Sequence, residues 1–470
     1  MIEQIVSALS NALYGYILII LLILGGLYFT VRTKFAQFRL LGEQFRSLKE
    51  KPSDKKGVSS FQALMVSTAS RVGTGNIIGV STAICMGGFG SVFWMWIIAI
   101  IGSASALVES TLAQIYKRRG PDGSYGGPAY YIEGGLKSRT LAVVFAVCLI
   151  ITYGIGFNML ASYNLQSTFS SYEFYNSKIF GMGMPLIIGI VVAVLVGYCL
   201  IGGGKRILKA TSLIVPIMGV TYILVALVIV ALNINLLPSV FSRIFTEAFD
   251  FKAIFGGFGG SCVMYGIKRG LFSNEAGVGS APNASASADV KHPIKQGLVQ
   301  VLSVFIDTLL VCSATAFMCM CSGVEPSKDL SGAAYVQSAL SQTLGEFGPV
   351  FITIAMIFFA FTTLLGNLYY VDQCIFYILG KKPSDTAKII YYIIASIIIV
   401  IGAVLQADLL WNIADITMGA MTLINIPVIV ILSNYAFRAL KDYESQRKQG
   451  IEPVFKAKNI DLTDKVDYWQ

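Results

Sequence analysis

The chain has 470 residues, of which 55% are apolar and only 13% charged, and its mean hydropathy is +0.70. That charge fraction is about half of what soluble domains carry, which excludes a soluble globular fold, a disordered chain and a small disulfide scaffold. The 35 Lys and Arg outnumber the 26 Asp and Glu, but they do not gather in one domain or on one face as nucleic-acid binding requires.

A spanning helix needs about 20 largely apolar residues. Eleven stretches meet this, at 12–31, 61–86, 89–116, 140–168, 183–203, 208–232, 251–270, 296–321, 349–378, 387–405 and 409–437. Residues 1–12 lack a basic leader and no Ala-x-Ala spacing follows the first stretch, so it reads as a retained span. The connections alternate in charge. Residues 32–60 carry eight Lys or Arg, 117–139 five, 205–209 three, 268–295 four, 380–388 three and the segment from Arg438 seven. The loops at 171–182, 233–250 and 322–348 carry one each. The positive-inside rule then places the N-terminus outside and the C-terminus in the cytoplasm of a multi-pass cell-membrane protein. Residues 438–470 read as a charged cytoplasmic tail. The eight cysteines lie mostly within the apolar stretches, and Cys319-Met320-Cys321 has no zinc spacing. Phosphate loops are missing, which leaves an ATP-driven pump unsupported. With His292 the single histidine, and read as a loop residue, histidine-based catalysis is disfavoured.

Two stretches are rich in glycine. The second contains Arg71-Val72-Gly73-Thr74-Gly75-Asn76-Ile77-Ile78-Gly79, the seventh Gly256-Gly257-Phe258-Gly259-Gly260-Ser261. Glycine inside a helix costs about 1 kcal/mol relative to alanine, and a cluster permits unwinding. The alternative is close packing of continuous helices. Unwound backbone in hydrocarbon must find partners: carbonyls can hold Na⁺, and the positive end of a half-helix can hold a carboxylate. The two stretches are five spans apart and so cross in opposite directions, each opening a set of five. In the ninth stretch, the hydroxyls of Thr362 and Thr363 are oxygen ligands for Na⁺ or are back-bonded to their own helix. Asn367, and Asn158 with Ser162 and Asn164 in the fourth stretch, are polar candidates for a cavity wall. Arg71 and Asp307 lie near mid-membrane and need a partner or water. Glu109 and Asp372 lie nearer the cytoplasmic ends and Asp415 nearer the outer end, where an interfacial or structural role is expected at least as much as a transport role.

These residues carry a resemblance. STASRVGTGNIIGVSTAICMGGFGSVFWMW and GIKRGLFSNEAGVGSAPNASA, followed by HPIKQGL and FIDT, resemble the signatures of the alanine or glycine:cation symporter family, as do GSYGGPAYYIEGG and DITMGAMTLIN. The likeness covers residues 12 to about 440. It implies an all-α membrane protein with a LeuT-type inverted repeat of five plus five helices and one extra N-terminal helix. Residues 1–60 would be the first helix and a basic loop, 61–232 the first repeat, 251–437 the second. It implies a secondary transporter and no enzyme, coupling Na⁺, in some members H⁺, to uptake of L-alanine, with glycine, serine and D-alanine as further candidates. No cofactor, nucleic acid or obligatory protein partner is implied. Na⁺ would be held by Gly73, Thr74, Thr362 and Thr363. Substrate would meet Thr74, Gly75, Asn76, Asn158, Phe258, Gly259, Met264 and Asn367. Ala161 stands where many members place a glutamine.

Overall fold

The computed structural model describes residues 2–52, 57–120, 123–257, 261–462, 464 and 466–469. Among these, nine helices are long and apolar enough to cross a membrane. In chain order the helices used below are α1 (Val6–Arg32), α2 (Ser60–Arg71), α3 (Gly75–Gly87), α4 (Gly90–Ile115), α5 (Pro128–Leu136), α6 (Arg139–Ser167), α7 (Met184–Ile201) and α8 (Gly203–Leu232). They continue as α9 (Leu237–Ala248), α10 (Cys262–Asn274), α11 (Pro282–Ser285), α12 (Pro293–Met320), α13 (Ala333–Leu344), α14 (Phe347–Leu379), α15 (Asp385–Val404) and α16 (Ala407–Lys448). The second expected span is missing from the nine because it is cut into α2 and α3; the seventh, 251–270, holds a short helix at Phe251–Gly256 and the start of α10, with 258–260 outside the described residues.

α4, α10 and α12 pack at the centre. A Cβ at Gly266 would lie 2.4 Å from the Ser91 carbonyl and one at Gly297 2.7 Å from that of Leu107, so small residues let these three backbones approach. The periphery is apolar on the outside instead: Val194, Leu213, Ile217 and Ile393 are more than half exposed, as suits a lipid-facing belt.

Two sequence expectations change here. The seventh span does not end at 270, and 268–295 is not wholly a basic cytoplasmic loop: every residue from Gly266 to Ala288 is buried. Lys268 and Arg269 therefore drop out of the topological charge count, leaving Lys291 and Lys295 in that connection. The C-terminal segment is also not a free extension. The last helix runs 42 residues to Lys448, after which the chain folds back: Phe455 N–H donates to the Lys291 carbonyl (2.9 Å), Glu452 pairs with Lys295, and Trp469 Nε1 donates to the Gln114 carbonyl (2.8 Å).

His292 is the N-cap of α12, fully buried against Tyr443 and Phe455. Its Nδ1 accepts the Ile294 N–H (3.2 Å), so the proton sits on Nε2, which donates to Asp442 (3.3 Å). Burial holds its pKa below the ordinary histidine value. With the tail undocked His292 therefore binds the proton first, and docking weakens as pH falls through about 6.5. In a variant with Trp94, Trp96 and Trp411 replaced by Phe, which leaves Trp469 as the indole probe, acrylamide quenching is expected to rise between pH 7.5 and 5.5. Replacing His292 by Asn should flatten that rise; an equally steep rise would assign the effect elsewhere.

Candidate functional site

α2 starts with a capping box, Ser59 and Gln62 each bonding the other's backbone N–H. It ends at Arg71, where Val72 leaves the helical region with ψ 83°. The amide freed at Gly73 donates to Asn76 Oδ1 (2.8 Å), and the Asn76 N–H donates to the Gly73 carbonyl (3.1 Å). The side chain three residues on thus closes the turn and α3 starts. This break lies where the glycine cluster predicts.

In the seventh span the expected break at Gly256–Ser261 falls largely outside the described residues, between a helix ending at Gly256 and one starting at Cys262. Gly256 and Gly257 are exposed with open space where a Cβ would stand; Phe258 and Gly259 lie outside the described residues. The buried interruption is at 275–281. Glu275 adopts the left-handed conformation (φ 53°), and Gly277 and Gly279 have φ of 82° and 90°, which side chains resist. Backbone partners come from the surroundings: Asn274 Oδ1 accepts the Ala276 N–H (3.0 Å), Glu109 accepts the Gly277 N–H (3.3 Å), and Asn425 donates to the Gly277 carbonyl (2.9 Å). Non-helical backbone inside protein is tolerated on these terms.

The two breaks meet. A Cβ on Gly75 would lie 2.8 Å from the Phe272 ring. Asp307, midway along α12, joins both helices: it accepts Asn76 Nδ2 (2.7 Å), Ser273 Oγ (2.8 Å) and Thr308 Oγ1 (2.8 Å). Sequence left both Asp307 and Arg71 in need of a partner or water. Arg71 donates to Gln300 (3.0 Å).

α14 reaches the first break through one hydroxyl of its threonine pair. A Cβ on Gly73 would fall 2.0 Å from Thr363 Oγ1, and this buried oxygen has no hydrogen-bond partner among the described residues. Thr362 is turned away, its Oγ1 donating to the Phe358 carbonyl (2.9 Å). Neighbouring helix residues point about 100° apart, so only one of the two can face Gly73. Thr74 Oγ1 accepts Asn164 Nδ2 (3.0 Å), whose Oδ1 is buried without a partner. Asn367 accepts Ser70 Oγ (2.7 Å) and donates to Asn158 (3.0 Å), whose Nδ2 is unpartnered.

Met264 is buried in the first turn of α10, about 15 Å along the helix from the break. The apolar wall near Gly75 is aromatic instead: Phe272 packs on Phe157 (4.6 Å) and Trp411 (4.8 Å). Beyond it, Arg269 covers the Trp411 ring at 4.0 Å and shares Asp415 with Lys268. Sequence missed Phe272, Ser273 and Glu275; the signal available was the polar SNEAG run directly after apolar residues. A cavity of about 540 Å³ bordered by Tyr163, Gln166 and Tyr175 contains none of the break residues.

Two interrupted helices meeting inside a bundle, with buried polar atoms around them that have no partner among the described residues, are the arrangement from which membrane transporters build their sites. Residues 1–457 match the sodium:alanine symporter family, and the chain belongs to that family. The amino-acid carrier protein AlsT of Bacillus subtilis is 45% identical over 100% of this chain and 98% of its own length. The sodium/alanine symporter AgcS of Methanococcus maripaludis is 37% identical over 95% and 98%. The crystal structure of MhsT in complex with L-phenylalanine superposes with a TM-score of 0.59 at 15% identity, covering 84% of this chain and 93% of that one. The fold is therefore LeuT-type, and family membership makes the chain a transporter, not an enzyme.

Proposed function

We propose that the protein carries L-alanine into the cell together with Na⁺ by alternating access, with glycine, serine and D-alanine as lesser cargoes. The observation that carries this reading is the unpartnered Thr363 hydroxyl pressed against the broken backbone at Gly73. A hydroxyl and freed carbonyls form a hard oxygen set suited to Na⁺. The Na⁺ ligands are then Gly73, Thr74 and Thr363, without the back-bonded Thr362. The substrate carboxylate takes the N–H groups at Thr74 and Gly75, where the positive end of α3 adds to the attraction. Its ammonium faces the Asn164 oxygen, and Phe272, Phe157 and Trp411 limit side-chain size.

In this arrangement residues 61–232 and 251–437 are the inverted halves of an eleven-span protein, with the N-terminus outside and the C-terminus in the cytoplasm. A potential of 100 mV contributes about 2.3 kcal/mol per Na⁺, a roughly fiftyfold accumulation. Thr363→Ala is expected to raise the half-saturating Na⁺ concentration of alanine uptake in proteoliposomes about tenfold, or about 1.4 kcal/mol. An unchanged requirement would remove Thr363 from the site, and uptake indifferent to any cation gradient would overturn symport.

A further inference from the structure

Beside the paired breaks the protein encloses more negative than positive charge. Glu109, Glu275 and Asp307 are each no more than 1% exposed, and Arg71 is 2% exposed. The Arg71 charge acts on all three carboxyl groups, while Lys268 and Arg269 are engaged with Asp415. Against Arg71 alone two negative charges are left over when all three carboxyls are ionised, and one remains when the surplus cation of the Lys268–Arg269–Asp415 cluster is counted. Buried charge of that kind is compensated by a bound cation or removed by protonation.

The three carboxyls differ in their surroundings. Asp307 collects three side-chain donors at the substrate break. Glu275 takes the hydroxyls of Ser70 (3.3 Å) and Ser280 (2.6 Å). Glu109 has the Gly277 N–H at 3.3 Å and Asn425 Nδ2 at 2.9 Å, both neutral donors. Arg71 spends one bond on Gln300 and leaves Nε and Nη2 buried without partners. Besides Arg71 from α2 and Glu275 from the break, the titratable groups near Glu109 are Tyr131 of α5, which donates to Asn425, and Tyr370 of α14.

We propose that Glu109 is a proton-binding site of the transport cycle. It rests on the symport reading and adds a second coupled cation to it. One Glu109 carboxylate oxygen takes a proton from water on one side of the membrane, forming an O–H bond, and returns it on the other; no electrons move. Glu109 stands six residues, about 9 Å, from the end of α4, the end that faces the cytoplasm in the proposed orientation. Its ionised form accepts the Gly277 N–H and so holds the broken span against α4. Protonation weakens that acceptor and loosens the segment, which ties proton occupancy to movement of the half-helix.

The test uses proteoliposomes enclosing a pH-sensitive dye, with saturating external Na⁺ and pulses of alanine. Alanine entry with internal acidification is expected. Glu109→Gln should lower the protons moved per alanine at least tenfold and flatten the dependence of the alanine KM on external pH. Glu109→Asp should keep the acidification and shift the pH midpoint of uptake. Alanine entry with Na⁺ but without acidification overturns the proton site alone, as does an unchanged proton ratio in Glu109→Gln or an unmoved midpoint in Glu109→Asp. Absence of any Na⁺-dependent uptake overturns this inference together with the symport reading.

Discussion

Gly73→Ala is expected to cut Na⁺-driven alanine uptake roughly 100-fold, about 2.8 kcal/mol. The new methyl carbon would fall 2.0 Å from Thr363 Oγ1 and 3.2–3.3 Å from the Cβ and Cγ2 of the same side chain. Rotating Thr363 about χ1 brings either Cγ2 or the Cβ hydrogen toward the new methyl and in both cases carries the hydroxyl away, so the hydroxyl leaves its place or the two backbones separate. Either outcome disassembles the cation ligands. The double variant separates this from plain misfolding. If Gly73 and Thr363 serve one ion, Thr363→Ala in the Gly73→Ala background adds little to the loss and relieves part of the clash, the non-additivity expected of contacting residues. Losses that multiply in full would place the two residues in independent roles. The readout is initial uptake against Na⁺ concentration, with surface expression measured in parallel.

The first break was legible because its glycines and its repair group lie within one short stretch: Asn76 closes the turn opened at Gly73. The buried interruption at 275–281 was not legible, for physical reasons. The glycines of Gly256–Ser261 advertise freedom to unwind by composition alone, and 275–281 has no such mark. Residues 275–281 have fewer glycines and are held open by Glu109 and Asn425, 168 and 148 positions away from Gly277. A hydropathy reading cannot see such partners, and polar residues plus Lys268 and Arg269 resemble a solvated loop until Asp415, 146 residues from Arg269, is placed beside them. The threonine pair shows the same limit at smaller scale. Sequence marks Thr362 and Thr363 equally, and only the rotation of α14 decides which hydroxyl meets Gly73. Spans, their apolar outer faces and the family signature survive such errors because each depends on local composition.

Asp415→Asn should destabilise the protein by about 3–5 kcal/mol, the range for removing one partner of a buried ion pair. The side chain is fully buried and lies 2.8 Å from Lys268 Nζ and 3.4 Å from Arg269 Nη1, both about as buried. Asparagine keeps the shape but leaves two adjacent cations with no counter-charge, so repulsion adds to lost attraction. Lys268 has a remaining neutral partner in Ser10 Oγ (3.1 Å) and the Tyr14 ring at 5.1 Å; Arg269 has the Trp411 face. A second substitution therefore shows whether the unbalanced charge causes the loss. Lys268→Met combined with Asp415→Asn returns the cluster from two surplus positive charges to the original one and is expected to recover part of the loss, since a neutral pair of similar volume avoids the desolvation of two ions. The measurement is the thermal inactivation rate in detergent for the single and double variants. A double variant no more stable than Asp415→Asn would refute the charge argument. Transport adds an independent check: Arg269, Trp411, Phe272 and Gly75 form one continuous stack, so shifting Arg269 displaces the aromatic wall of the cargo site. Asp415→Asn should then also weaken alanine affinity, and Arg269→Gln should do so more than Lys268→Met, which does not touch the wall.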